Sequence, residues 1–145
     1  MTVNYDEQAN HYEETRNVIP LVYSTLIAII KPKANEKILD FGCGTGNYLL
    51  KLTTDYNIIP YGVEPSSVMR KIAAQKNPSA TIVEGNHEAM PINIQFDSIY
   101  CTDVIHHIDN LRILFLNLFK ISKPGTLLCI CTESYSCLLY TSPSP

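Results

Sequence analysis

Three glycines alternate with other residues at Gly42, Gly44 and Gly46, just after the apolar run Ile38-Leu39 ends in a carboxylate, Asp40. Tyr48-Leu49-Leu50-Lys51-Leu52 then reads as the start of a helix. Glycine tolerates positive φ and lets a ligand come close to the backbone. The helix that follows offers N–H groups and a partial positive charge at its N-terminus. Strand, glycine turn and helix together can cradle a nucleotide-like ligand. The spacing narrows the ligand, because the third glycine of a dinucleotide fingerprint would stand at Asn47, and the Gly-Lys-Ser/Thr ending of a P-loop is missing. A second acid, Glu64, ends the next apolar run, roughly 20 residues on, where a carboxylate can accept charge-assisted hydrogen bonds from ribose hydroxyls.

Two further groups of residues have chemistry to offer. His106 and His107 suggest a base or a metal ligand. Adjacent residues seldom reach one ion and no third ligand stands out, so no metal is expected and His106 is the candidate base. The cysteines are Cys43, Cys101, Cys129, Cys131 and Cys137, an odd number without a C-x-x-C pair. Cys129 and Cys131 share one face of a strand pattern and read as small buried hydrophobes.

The elements that must position these groups alternate between strand and helix patterns. Asn4 to Arg16 is an amphipathic helix pattern, and Pro20 opens a second helix, Leu21 to Ile30. Strands are expected at Ile38–Phe41, Ile58–Glu64, Thr81–Glu84, Phe96–Thr102 and Leu127–Thr132. Helices are expected at Tyr48–Asp55, at Ser67–Gln75 with Ser66 as cap, and at Leu111–Ile121 with Asp109 as cap. Lys123-Pro124-Gly125-Thr126 reads as the turn before the fifth strand.

Asp-Phe-Gly-Cys-Gly-Thr-Gly at 40–46 resembles motif I of the class I S-adenosylmethionine (SAM)-dependent methyltransferases. The resemblance runs from Tyr5 to about Glu133 and is nearest to the methyltransferase type 11 group. Tyr-Asp-x-x-Ala-x-x-Tyr-x-x-x-Arg resembles that family's N-terminal cap, and Gly85-Asn86-His87-Glu88-Ala89-Met90-Pro91 its adenine-bracketing segment. Asp103-Val104-Ile105-His106-His107-Ile108-Asp109 and Lys123-Pro124-Gly125-Thr126 resemble its later motifs. The resemblance implies SAM as cofactor and a three-layer α/β sandwich with a Rossmann-like, mostly parallel sheet of order 3-2-1-4-5, strands 6 and 7 being missing. It implies that Asp40, Gly42, Cys43, Gly44 and Gly46 hold the methionine and ribose. Glu64 would hold the ribose and Pro65 would line the cofactor site; Asn86 and the His87 backbone would meet the adenine, with Met90 packed on it, Thr102 the methionine end and Arg16 the SAM carboxylate.

The 145 residues suit one domain, and a net charge of −3 leaves no electrostatic footprint for nucleic acid or membrane. Leu21–Ile30 is too short to span a bilayer and no secretory signal is evident, so a cytoplasmic protein is expected. Residues 137–145, CLLYTSPSP, match the translation of a transposon-end adapter used in sequencing, which makes 1–136 the expected natural domain. The expected function is methyl transfer to a small-molecule acceptor. A non-catalytic SAM-binding module and, further off, a nicotinamide-dependent oxidoreductase are the alternatives, and neither acceptor nor oligomeric state can be read.

Overall fold

The computed structural model describes residues 17–132. The cap segment with Arg16, and the 137–145 tail, lie outside the described residues.

Elements follow one another as α1 (Pro20–Ile30), β1 (Lys37–Phe41), α2 (Asn47–Tyr56), β2 (Ile59–Val63), α3 (Ser67–Lys76), β3 (Thr81–Val83) and β4 (Phe96–Thr102). A short 3₁₀ turn (Ile105–His107), α4 (Leu111–Lys120) and β5 (Ser122–Cys131) complete them. The five strands form one parallel sheet of order β3-β2-β1-β4-β5, as the sequence predicts. Crossover direction reverses between β1 and β4, so the carboxyl ends of these two strands open a crevice.

Strand alternation sorts the core into two faces. Ile38 of β1, Tyr100 of β4 and Cys129 of β5 pack with Tyr23, Leu26 and Ile30 of α1 and with Leu49 and Leu52 of α2. Leu39 and Phe41 point the other way, toward Ile99, Cys101 and the α4 residues Leu114 and Leu118. Asp40 has the parity of Ile38 and is the one acid in an otherwise apolar strand interior. None of the helices among the described residues is long and apolar enough to cross a membrane.

Helix ends are set by local chemistry. Pro20 begins α1, where its missing N–H leaves no bond unmade, and Lys31 ends it at φ 45° with its N–H on the Ile27 carbonyl. Ser66 Oγ accepts the Met69 N–H at 3.2 Å and caps α3. The cap of α4 is Asn110, not Asp109 as the sequence suggests: Asn110 Oδ1 accepts the Ile113 N–H at 3.2 Å. The Asp109 carboxylate instead turns to His87, its Oδ1 lying 3.3 Å from Nε2.

The start of β5 also differs from expectation. Phe96 pairs with Ser122 but Ser98 pairs with Leu127, so Lys123–Thr126 bows out inside the strand instead of preceding it. Gly125 turns at φ 90°, and Thr126 Oγ1 accepts the Lys123 N–H at 2.9 Å while donating to the Phe96 carbonyl at 2.7 Å. The turn is real, but pairing resumes on both sides of it. Below it, Asp97 at the foot of β4 accepts the Lys37 N–H of β1 at 2.8 Å and pairs with the Lys123 ammonium of β5. The Lys123 contact, and then the Lys37 N–H, hold the Asp97 carboxyl below its usual range.

Candidate functional site

The glycine loop hangs from the end of β2. The Gly42 and Cys43 N–H groups both donate to the Val63 carbonyl, at 2.8 and 3.0 Å, and Gly46 N–H donates to the Cys43 carbonyl at 2.9 Å. All three loop glycines have positive φ, of 73°, 56° and 83°. Sequence reasoning assigns them to close approach by a ligand; at two positions the structure assigns that approach to the protein. A Cβ on Gly42 would lie 2.6 Å from Val104 Cγ2, and one on Gly46 would lie 2.4 Å from Asn77 Nδ2. Gly62 of β2 has a similar part, since a Cβ there would lie 2.8 Å from Cys43 Sγ. The Cys43 thiol is buried, and burial raises it well above its ordinary range.

Two buried carboxylates stand beside this loop. Glu64, one residue past β2, accepts the Gly44 N–H on Oε1 at 3.0 Å and the Ser66 N–H on Oε2 at 2.8 Å. It thereby clasps the glycine loop to the turn leading into α3. Arg70 reaches back from α3 to donate to the Glu64 and Pro65 carbonyls at 3.0 and 2.7 Å, which fixes the backbone on which Pro65 sits.

Asp40 is placed differently. Its register neighbours are Gly62 on β2 and Tyr100 on β4. Neither Asp40 Oδ1 nor Tyr100 Oη has a well-formed hydrogen bond, though both are buried. Burial pushes the Asp40 carboxyl up to about 8; the nearby Tyr100 hydroxyl opposes the rise and the Glu64 charge adds to it. A positive charge brought beside this carboxyl would favour its ionised form.

On the far side of the crevice Asn86 organises the loop after β3. Its Oδ1 accepts the Glu88 and Ala89 N–H groups at 2.8 and 2.9 Å, and its own N–H donates to the Ala89 carbonyl. His87 is held through its carbonyl by Asn117 Nδ2 at 2.7 Å. An open cleft of about 790 Å³ runs along this loop, lined by Pro65, Glu84, Asn86, Met90, Asn117 and Lys120 among others. Its lining takes in Pro65 and all of the 85–91 segment singled out from sequence except His87, and the glycine loop is not part of it.

At the end of β4, Thr102 is half-buried and Asp103 has φ 58°, with its N–H on the Cys131 carbonyl. His106 is exposed, its Nδ1 lying 3.6 Å from Asp103 Oδ1 and its ring centroid 3.9 Å from that of His107 at a tilt of 45°. Asp40, Gly42, Cys43, Gly44, Gly46, Glu64 and Pro65 therefore gather at the carboxyl ends of β1 and β2, with Thr102 at the end of β4 and Asn86 and His87 on the loop after β3. Arg16 lies outside the described residues. Sequence reasoning missed Tyr100 and Gly62, whose parts depend on strand register, and Val104, whose part is its contact with Gly42.

Comparison with known proteins supplies the remaining observations. Residues 12–142 match a family model described as a methyltransferase domain. An uncharacterized methyltransferase of Anoxybacillus flavithermus is 36% identical over 107 residues, which cover 72% of this chain and 50% of the relative. The chain spans about half the length of such curated relatives. A putative methyltransferase from an antibiotic biosynthesis pathway of Anabaena variabilis is 28% identical with a TM-score of 0.70, over 80% of this chain and 47% of that one. A SAM-dependent methyltransferase from Thiobacillus denitrificans, solved with S-adenosyl-L-homocysteine, shares the fold at a TM-score of 0.70 and 18% identity, over 89% and 56% of the two chains.

Proposed function

This chain belongs to the class I, SAM-dependent methyltransferase family, and we propose that it binds SAM in the crevice between β1 and β4 and transfers its methyl group to a small-molecule acceptor. The observation that carries the reading is the pair of buried acids at adjacent strand ends, one clasping the glycine loop and the other with an oxygen unmatched. SAM supplies a sulfonium-activated methyl group, together with the ammonium that an unmatched carboxylate suits.

Asp40 takes the ammonium and is ionised by it. Glu64, oriented by the Gly44 and Ser66 N–H groups, is the acid that meets the ribose hydroxyls. Gly42, Cys43, Gly44 and Gly46 shape the loop around methionine and ribose, while Pro65 and Met90 bracket the base. Because Asn86 Oδ1 is committed to its own turn, the amide Nδ2 is the group that meets an adenine ring nitrogen, next to the His87 backbone. Thr102 borders the methionine end and Arg16 meets the carboxylate. His106, with Asp103 beside it, serves as base when the acceptor atom needs one. The four cysteines of the described residues are free thiols, which suits a reducing, cytoplasmic setting.

Calorimetric titration with S-adenosylhomocysteine and with NAD⁺ tests the proposal. Saturable binding of the first alone is expected. Binding of NAD⁺, or of neither, overturns it. Transfer of label from methyl-tritiated SAM to a panel of small amines, phenols and carboxylates separates an enzyme from a module that only binds.

A further inference from the structure

We infer that His87, Glu88 and Asp109 form a binding site for a divalent first-row transition ion of the Zn²⁺ class, which pins the loop after β3 to the segment ahead of α4. His87 Nε2 lies 3.5 Å from Glu88 Oε1 and 3.3 Å from Asp109 Oδ1, and the three ligand atoms all lie within 4.8 Å of one another. A tetrahedral ion with bonds of about 2.0–2.1 Å needs ligand atoms about 3.3–3.4 Å apart. Two of the three edges already have that length or close to it.

The burial pattern adds an independent observation. The His87 side chain is only 16% exposed, and its Nε2 is buried without a well-formed hydrogen bond. The two carboxylates are 65% and 89% exposed, so an ion enters from solvent and water completes its shell. The ligands are also held before any ion arrives: Asn117 Nδ2 fixes the His87 carbonyl, and Asn86 Oδ1 fixes the Glu88 N–H. Such preorganisation lowers the ordering cost of binding. One imidazole with two carboxylates suits Zn²⁺, Co²⁺ or Mn²⁺ better than Mg²⁺ or Ca²⁺, which take oxygen ligands. The site does not depend on the methyltransferase reading, though it borders the Asn86 cleft and would stiffen its rim.

A proton on His87, shared between the two carboxylates, is the competing occupant, and metal binding separates the two. Metal-free protein is titrated with Zn²⁺ in chelator-free buffer, beside the Glu88→Gln/Asp109→Asn double variant and His87→Gln. Glu88 and Asp109 are exposed, so the double variant should keep the wild-type urea midpoint even if His87→Gln does not. One equivalent is expected to bind, with affinity at least about tenfold weaker in the double variant. Co²⁺ should give visible bands without thiolate charge transfer, which excludes the cysteines as ligands. Absence of saturable binding, equal affinity in the double variant, a thiolate-type cobalt spectrum or equal binding of Mg²⁺ would each overturn the inference.

Discussion

Gly46 and Asn77 share a space with no room for a methyl group: a Cβ on Gly46 would lie 2.4 Å from Asn77 Nδ2, the same atom that donates to the Gly46 carbonyl at 3.2 Å. Ala73 closes the space from α3, and Gly46 is held at φ 83°. Gly46→Ala combines left-handed strain with overpacking and is expected to cost about 2–4 kcal/mol of stability. Urea denaturation measures this, and a variant within about 0.5 kcal/mol of the parent would show that the helix yields.

Glu64→Gln tests the clasp. The substitution sets an NH₂ group against either the Gly44 or the Ser66 N–H, leaving one buried donor unmatched. A loss of about 1–3 kcal/mol is expected, with weaker S-adenosylhomocysteine binding. Unchanged affinity by calorimetry would remove Glu64 from the ribose.

Asp40 makes stability depend on pH in a direction opposite to a salt-bridged acid. Its folded carboxyl titrates at about 8, far above the value for an exposed aspartate. Between the two values the native state holds a proton that the unfolded chain has lost. The contribution is thus complete below about pH 4, declines as pH rises, and is gone above about pH 8. Asp40→Asn keeps the shape without ionising, so its urea midpoint should fall less between about pH 5 and about pH 8.5. Parallel falls in both proteins would place the acid in a wetter setting.

The outer side of the sheet invites self-association. Among the described residues β5 pairs on one side only, Leu127 and Leu128 are exposed on it, and α4 adds exposed Leu116 and Phe119. Unpaired strand edges beside apolar surface recruit further chains. Light scattering of the 145-residue chain should rise with concentration, and Leu127→Lys should reduce it. A monodisperse parent with a cooperative melt would refute this.

The sheet was legible because its signals are local and repeat: apolar runs of strand length, each followed by a turn and a helix pattern. Motif spacing also located Asp40 and Glu64, which the fold brings to neighbouring strand ends. What escaped depends on contacts distant in sequence. The expected order set β1 beside β4, but nothing near Tyr100 gives the register that puts it opposite Asp40. Asp109 and Asn110 are both good capping residues, and the choice between them turns on His87, far back in the chain. The Lys-Pro-Gly-Thr turn was visible, but not that Ser122 would pair with Phe96 ahead of it.

Asp97 ties the feet of β1, β4 and β5 at the opposite pole of the sheet from Asp40, Glu64 and the glycine loop. The residues that tie the strand feet and those that shape the crevice thus have separate addresses in this chain. Substitutions around Asp97, Lys37 and Lys123 are expected to raise or lower the temperature at which it melts without redrawing the crevice.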